Sequence, residues 1–375
     1  MPLHELRVSS YRSLRDLTMP VERLAVFVGA NGTGKSNLYR ALMLLAAAAG
    51  GRLANVLAEE GGMPSALWAG ARRKDGPARI TLGVSLDRYA YDIELGIPGR
   101  TEPALPLDPM IRRERVQLID ERIVGPVRKV TLLERDGPSI WVRDAKGRRV
   151  AYQYELLASE TALAGIRDPV AFPELAVLQQ ELSAWRFYQH FRTDAQSPIR
   201  APQLGICTPV LGSDGHDLAA ALKTAITLGD RHDIDAAVAD AFPGATLDIA
   251  DERSRYAIGL QMPGIFRPFA APELSDGTLR YLCLVGALLS YRLPSFLALN
   301  EPESSLHPDL LAPLARLIAA ASRRTQVWVV THSDALARHL RETASCTPRR
   351  VTLADGATAI EGLNLLGRFA DAPED

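Results

Sequence analysis

Leu24–Val28, Phe296–Leu299 and Val327–Val330 are unbroken apolar runs, the pattern of strands buried on both faces of a parallel sheet. Between the first run and the other two the period changes. Arg79–Leu86, Tyr89–Ile97, Val130–Arg135 and Ser139–Arg143 alternate apolar and polar positions, with turn residues at Asp136-Gly137-Pro138 and Ala145-Lys146-Gly147. Inserted antiparallel hairpins are therefore expected over about 79–155. Leu3–Val8 reads as one more strand, with Tyr11-Arg12-Ser13-Leu14 as a turn between it and Leu24–Val28. Apolar residues at helical spacing cover Asn37–Ala49, Glu174–Ala184, Asp217–Leu228, His232–Phe242 and Tyr281–Leu293, and Asp217 and Asp230 stand where helix caps belong. Trp185–Phe191 is an aromatic strand and Arg350–Ala357 a late hairpin, while the Gly- and Pro-broken stretches Gly61–Pro64 and Arg72–Pro77 read as surface loop. No repeat or heptad run is visible.

The strand Leu24–Val28 leads directly into Gly29-Ala30-Asn31-Gly32-Thr33-Gly34-Lys35-Ser36, and a helix follows. A glycine-rich loop in that position turns its backbone N–H groups around the phosphates of a nucleoside triphosphate. Lys35 then reaches the β/γ oxygens and the Ser36 hydroxyl ligates Mg²⁺, with the positive end of the helix behind them.

Composition narrows the rest. With 375 residues and a formal net charge of −1, the chain can bury a large core but lacks the charge excess of a protein dominated by nucleic-acid binding. Its lysines stand only at 35, 74, 129, 146 and 223, so basic charge is almost all arginine. Cys207, Cys283 and Cys346 have neither the spacing of a zinc site nor a disulfide framework and are expected as free thiols. The most apolar stretch, Ala41–Ala49, is too short to span a bilayer. The amino terminus shows no signal-peptide pattern, so a soluble cytoplasmic protein is expected.

Four later segments carry further candidate chemistry. Leu274-Ser275-Asp276-Gly277 precedes an apolar helix, a place for a second phosphate-binding surface or simply for a serine cap. Phe296–Asn300 ends in Glu301-Pro302-Glu303 at the carboxyl end of a buried strand, where parallel sheets present their chemistry. Ser304–Pro308 turns into a helix, and Gln326–Thr331 delivers His332.

In this order the segments resemble an ABC-type ATPase of the RecF/SMC-like branch, among the short stand-alone AAA/ABC ATPases related to OLD-family ATPase domains. The likeness runs over nearly the whole chain. It matches Gly29–Ser36 to the Walker A loop, Leu274–Gly277 to the signature motif, Leu297–Glu301 to Walker B, Ser304–Pro308 to the D-loop, Thr331–Ser333 to the switch-histidine loop, and Tyr11-Arg12-Ser13 to an element near bound nucleotide. Gln189 is the choice for the Q-loop, with His190 and Arg192 as alternatives.

The resemblance implies an α/β P-loop NTPase of ABC-head type: a mixed central sheet with an inserted antiparallel β subdomain, plus a mostly helical lobe. Lobe I would be 1–190 with 281–375, and lobe II 191–280 with the signature. ATP and Mg²⁺ are the implied cofactors. Gly29, Asn31, Gly32, Thr33, Gly34, Lys35, Ser36, Asn37 and Arg12 would bind nucleotide in one copy, and Ser275 and Gly277 would bind it from a second copy in a homodimer. Ser36, Asn300 and Gln189 would serve the metal, Glu301 would be general base, and His332 would contact the γ-phosphate. The Walker B position that normally holds aspartate is Asn300, so a nucleotide-gated scaffold with slow or no hydrolysis is an alternative to an ATP hydrolase, and Glu303 is either a second carboxylate near the metal or a solvated or capping charge. A transporter ATPase subunit is the other alternative. DNA repair or phage defence is the implied context, with DNA or a separate effector protein as partner. Only 239 positions separate Ser36 from Ser275 and 43 residues follow His332, so a compact head without a long coiled coil or a nuclease domain is expected.

Overall fold

The computed structural model describes residues 1–71, 78–99, 105–120, 128–153, 155–364 and 366–370; the expected loop Arg72–Pro77 lies outside them. In chain order the amino-terminal part runs β1 (Leu3–Tyr11), β2 (Leu14–Pro20), β3 (Leu24–Val28), α1 (Lys35–Ala49), α2 (Leu53–Glu59), α3 (Met63–Ala66), β4 (Arg79–Leu86), β5 (Tyr89–Gly96), β6 (Met110–Asp120), β7 (Arg128–Asp136), β8 (Ser139–Arg143), β9 (Arg149–Ala151), α4 (Ala162–Gly165) and α5 (Pro173–Ser183). It continues with β10 (Arg186–Tyr188), β11 (Gln203–Leu204), α6 (Leu218–Leu228), α7 (Arg231–Ala241), β12 (Thr246–Glu252), β13 (Arg255–Gln261), β14 (Phe269–Ala270), α8 (Asp276–Leu288), β15 (Phe296–Asn300), α9 (Leu311–Ser322), β16 (Gln326–Thr331), α10 (Asp334–Ala344), β17 (Arg349–Ala354) and β18 (Ala357–Ile360). Among the described residues no helix is long and apolar enough to cross a membrane.

Packing divides the chain into two compact units: 1–22 with 30–185 and 349–375, and 23–29 with 186–348. In the first, one antiparallel sheet has the order β2-β1-β4-β5-β6-β7-β8-β9. Its strands alternate because one face is covered and the other is not: Leu6, Val8, Leu82, Val84, Tyr91 and Ile93 are buried. Helix α1 packs on β1 and β4. It is apolar nearly all round from Leu38, hence buried on most of its surface, and it ends where Gly51 takes a left-handed φ of 71°.

Two strands of this sheet escape the apolar pattern. β2 occupies the stretch after the Tyr11–Leu14 turn, so the turn joins β1 to β2 as a hairpin and not to β3. β6 contains Arg112-Arg113-Glu114-Arg115, yet Glu114 points inward. Its carboxylate accepts the N–H groups of Ala162 and Leu163 at 2.5 and 3.0 Å and the Tyr91 hydroxyl at 3.0 Å. A charged residue is tolerated in the core because the start of α4 supplies its donors.

The second unit centres on a parallel sheet of order β10-β15-β16-β3. Its core joins Val26, Leu297, Leu299, Val327 and Val329 to the apolar faces of α6, α8, α9 and α10. The expected aromatic strand shortens to Arg186–Tyr188. The segment 191–280 is not mostly helical: besides α6 and α7 it holds the antiparallel set β11-β13-β12, with β14 on β13. Asp230 caps α7 through the His232 N–H, as expected, whereas the Asp217 carboxylate turns away from α6 and accepts the Gly212 N–H at 2.9 Å. Helix α8 begins at Asp276, five residues ahead of the expected Tyr281, because Ser275 caps it, and it ends at Leu288 and not at Leu293.

Candidate functional site

In the second unit the register sets Tyr188 beside Leu299, Asn300 beside Val330 and Thr331 beside Val28. The residues that follow these strands, Gln189, Glu301, His332 and Gly29, therefore leave one edge of the sheet, its carboxyl end. That is where open α/β sheets assemble ligand sites. Gly29 opens the phosphate loop, so the chain itself carries that loop away from the same edge.

Around Glu301 the backbone is under constraint. Its φ is +50°, a left-handed conformation that costs a non-glycine residue free energy and recurs at functional positions. The strand ladder is still held by its N–H, which donates to the Val330 carbonyl at 2.7 Å. The Glu301 carbonyl accepts the Ser304 N–H at 3.1 Å and the Arg280 guanidinium at 3.3 Å. Burial holds the Arg280 pKa below its usual range, opposed by the charges of Glu303 and Glu301 among others.

His332 Nδ1 lies 3.2 Å from Glu303 Oε1 and 3.7 Å from Glu301 Oε2. Glu303 is neither solvated nor a helix cap: it is only 6% exposed. Its Oε1 accepts the Thr331 hydroxyl at 2.5 Å and the His332 N–H at 3.1 Å, so it fixes the turn that carries the histidine. Asn300 is 9% exposed, and its Oδ1 is buried with no hydrogen-bond partner. An orphaned buried acceptor is costly unless something else meets it, and an amide oxygen suits a magnesium-bound water.

The first unit holds the rest of the phosphate loop. Gly34 has φ +93°, and a Cβ there would stand 1.8 Å from Thr358 Oγ1, so no other residue fits. Within the loop the Lys35 ammonium and the Thr33 hydroxyl both donate to the Ala30 carbonyl, at 2.6 and 2.9 Å. Asn31 and Gly32 are exposed and Ser36 is half-buried at the start of α1. Asn37 donates to Ser13 Oγ at 2.7 Å, which makes it a brace of the loop. The Arg12 guanidinium lies on Glu60, with contacts of 3.1 and 2.9 Å, and the Tyr11 hydroxyl donates to the same carboxylate. Glu60 has no motif to announce it.

At the signature segment Ser275 Oγ accepts the Thr278 N–H at 3.1 Å, the cap geometry. A Cβ on Gly277 would come within 2.8 Å of the Ser305 carbonyl, so the close approach of Ser304–Pro308 requires glycine. Sequence reading missed Arg200. Its guanidinium donates to the Ala271 and Leu274 carbonyls, each at 2.9 Å, to Asp276 Oδ1 at 2.6 Å and to the Thr193 carbonyl at 2.9 Å. One side chain thus joins the stretch after Gln189 to the stretch before Ser275. Arg200→Met removes these donors and is expected to cost about 2 kcal/mol, measured as a lower urea midpoint.

Residues 223–338 match a family model described as "AAA domain, putative AbiEii toxin, Type IV TA system". Among solved structures the chain is similar to an SMC head bound to the C-winged helix domain of ScpA, at 15% identity and a TM-score of 0.55, over 98% of this chain and 99% of that one. It is also similar to an Smc head domain with an extended coiled coil, bound to the C-terminal domain of ScpA derived from Pyrococcus furiosus, at 14% identity and a TM-score of 0.50, over 96% and 95% of the two chains. No curated protein matches it by sequence. The chain therefore shares the fold of SMC head domains, a P-loop NTPase-type α/β fold.

Proposed function

We propose that the chain binds Mg-ATP and hydrolyses it as a head-to-tail homodimer. The observation that carries this reading is the single sheet edge from which Gln189, Glu301, His332 and the phosphate loop depart. Backbone N–H groups of residues 29–36 and the Lys35 ammonium take the phosphates; the Ser36 hydroxyl would hold Mg²⁺, and Asn300 Oδ1 would serve it as a neutral acceptor. Bound Mg²⁺ would neutralise charge on the transferring phosphoryl group. Glu301 accepts the proton of the attacking water, and His332, held by Glu303, contacts the γ-phosphate. Ser275 and Gly277 serve the nucleotide of the other copy. Arg12, seated on Glu60, serves the nucleotide on its own copy's phosphate loop.

The likeness to SMC heads and the AbiEii-type match support a place in DNA maintenance or phage defence, in the cytoplasm. The SMC heads named above are each bound to a domain of ScpA, which favours a separate protein as partner. Asn300 supports a second reading, a nucleotide-gated scaffold that hydrolyses slowly.

Mixing two inactive variants tests the dimer. Lys35→Ala disables a chain's own loop, and Ser275→Arg disables the site of its partner. A mixed dimer then keeps one intact site of two, so an equimolar mixture is expected to recover about a quarter of wild-type phosphate release. Recovery of nothing, with both variants folded and wild type active, would show that the signature does not act across a dimer.

A further inference from the structure

We propose that Thr358, on the carboxyl-terminal hairpin, is a positioning residue of the phosphate loop and that it acts through the Thr33–Gly34 peptide. The proposal rests on the nucleotide-binding reading above. Four groups form a hydrogen-bonded chain. Asn37 Nδ2 donates to Ser13 Oγ at 2.7 Å, Ser13 Oγ and Thr358 Oγ1 are 2.7 Å apart, and Thr358 Oγ1 donates to the Thr33 carbonyl at 3.0 Å. Each hydroxyl has one proton to give. Since Thr358 spends its own on Thr33, Ser13 must donate to Thr358, and the direction of the whole chain is fixed. The Thr358 N–H also donates to the Ser13 carbonyl at 2.8 Å, which ties the β17–β18 hairpin to the β1–β2 turn.

The consequence follows from peptide geometry. In a planar trans peptide the C=O and the N–H point in opposite directions. Holding the Thr33 carbonyl toward Thr358 therefore aims the Gly34 N–H the other way, into the loop, where a phosphate oxygen would accept it. The same threonine occupies the space a Cβ on Gly34 would need, with Oγ1 1.8 Å from that position. Thr358 thus reads the absence of a side chain at Gly34 and sets the orientation of the peptide before it. Neither Ser13 nor Thr358 need touch the nucleotide. They remove a rotational freedom that the loop would otherwise lose on binding, and preorganisation of this kind raises affinity without new ligand contacts.

The test compares Thr358→Val, which keeps the shape and removes the hydroxyl, with Thr358→Ser, which keeps the hydroxyl. Three readouts are taken: Mg-ATP affinity by calorimetry, amide hydrogen exchange of 30–37 without nucleotide, and the unfolding midpoint. Thr358→Val is expected to weaken Mg-ATP binding about 10-fold and to speed exchange in 30–37, with little change in the midpoint. Thr358→Ser is expected to bind within about 2-fold of wild type. Wild-type affinity in Thr358→Val, or equal losses in both variants, would overturn the proposal. If wild type binds no Mg-ATP, the nucleotide reading and this inference fall together. If Lys35→Ala loses binding while Thr358→Val keeps it, only the inference falls.

Discussion

Glu301→Gln is expected to reduce phosphate release by about 10²- to 10⁴-fold, the range of a general base, while Mg-ATP still binds. The substitution keeps size and shape, so the left-handed backbone at Glu301 and the contacts of its carbonyl with Ser304 and Arg280 should persist. Only the ability to take a proton is lost. Binding without turnover should then trap the ATP-bound dimer, which size-exclusion chromatography with Mg-ATP would show as a shift absent with ADP. Steady-state release measured over a range of protein concentrations completes the test. On the proposed reading, in which two copies complete one site, wild-type specific activity should climb with concentration. Equal turnover by Glu301→Gln and wild type would remove Glu301 from the chemistry and leave the fold assignment untouched.

Asn300→Asp is expected to raise turnover by about 10- to 100-fold, the scale on which an outer-shell carboxylate influences a metal site. The amide oxygen is already buried and without a hydrogen-bond partner, so the change puts charge on an acceptor that is not already engaged. It also has a cost that can be read separately. A carboxylate at 300 would be buried beside Glu301 and Glu303, and both desolvation and like charge raise its pKa in the folded state. A folded-state pKa above the unfolded value means that the variant loses stability relative to wild type as pH rises above the usual aspartate range. The deficit should be small near pH 4, larger near pH 8, and reduced by Mg-ATP, which binds only the folded chain. Thermal unfolding at the two pH values, with and without Mg-ATP, checks the sign. Slower hydrolysis in Asn300→Asp would instead favour the scaffold reading, with asparagine suited to a long-lived closed state.

What was legible in the chain was what local chemistry specifies. A buried strand, a glycine loop and a helix are contiguous in 24–49, and each needs only its neighbours to be recognised. The same holds for the strands that deliver Glu301 and His332. The helical reading of 191–280 failed where β12 and β13 pair: Thr246–Glu252 is rich in aspartate and glutamate, and only its cross-strand partners, from Thr246 with Gln261 to Glu252 with Arg255, make it a strand. β6 failed for a related reason, since Glu114 counts as polar in any pattern until Ala162 and Leu163 are seen to satisfy it.

The residues that position the site were the hardest to find. Glu303 meets Thr331 across 28 residues, Arg200 meets Leu274 across 74, and Thr358 meets Thr33 across 325. By itself the sequence determined the phosphate loop, the order of the buried strands and the residues at their ends, because backbone conformation and burial pattern are written within a few positions. Only the tertiary structure decided that those ends share one edge, that Glu303 holds the histidine turn, and that the Thr358 hydroxyl donates to a carbonyl of the loop. Hydrogen bonds between distant segments have no periodicity or spacing to betray them, and they exist only once packing has brought donor and acceptor together.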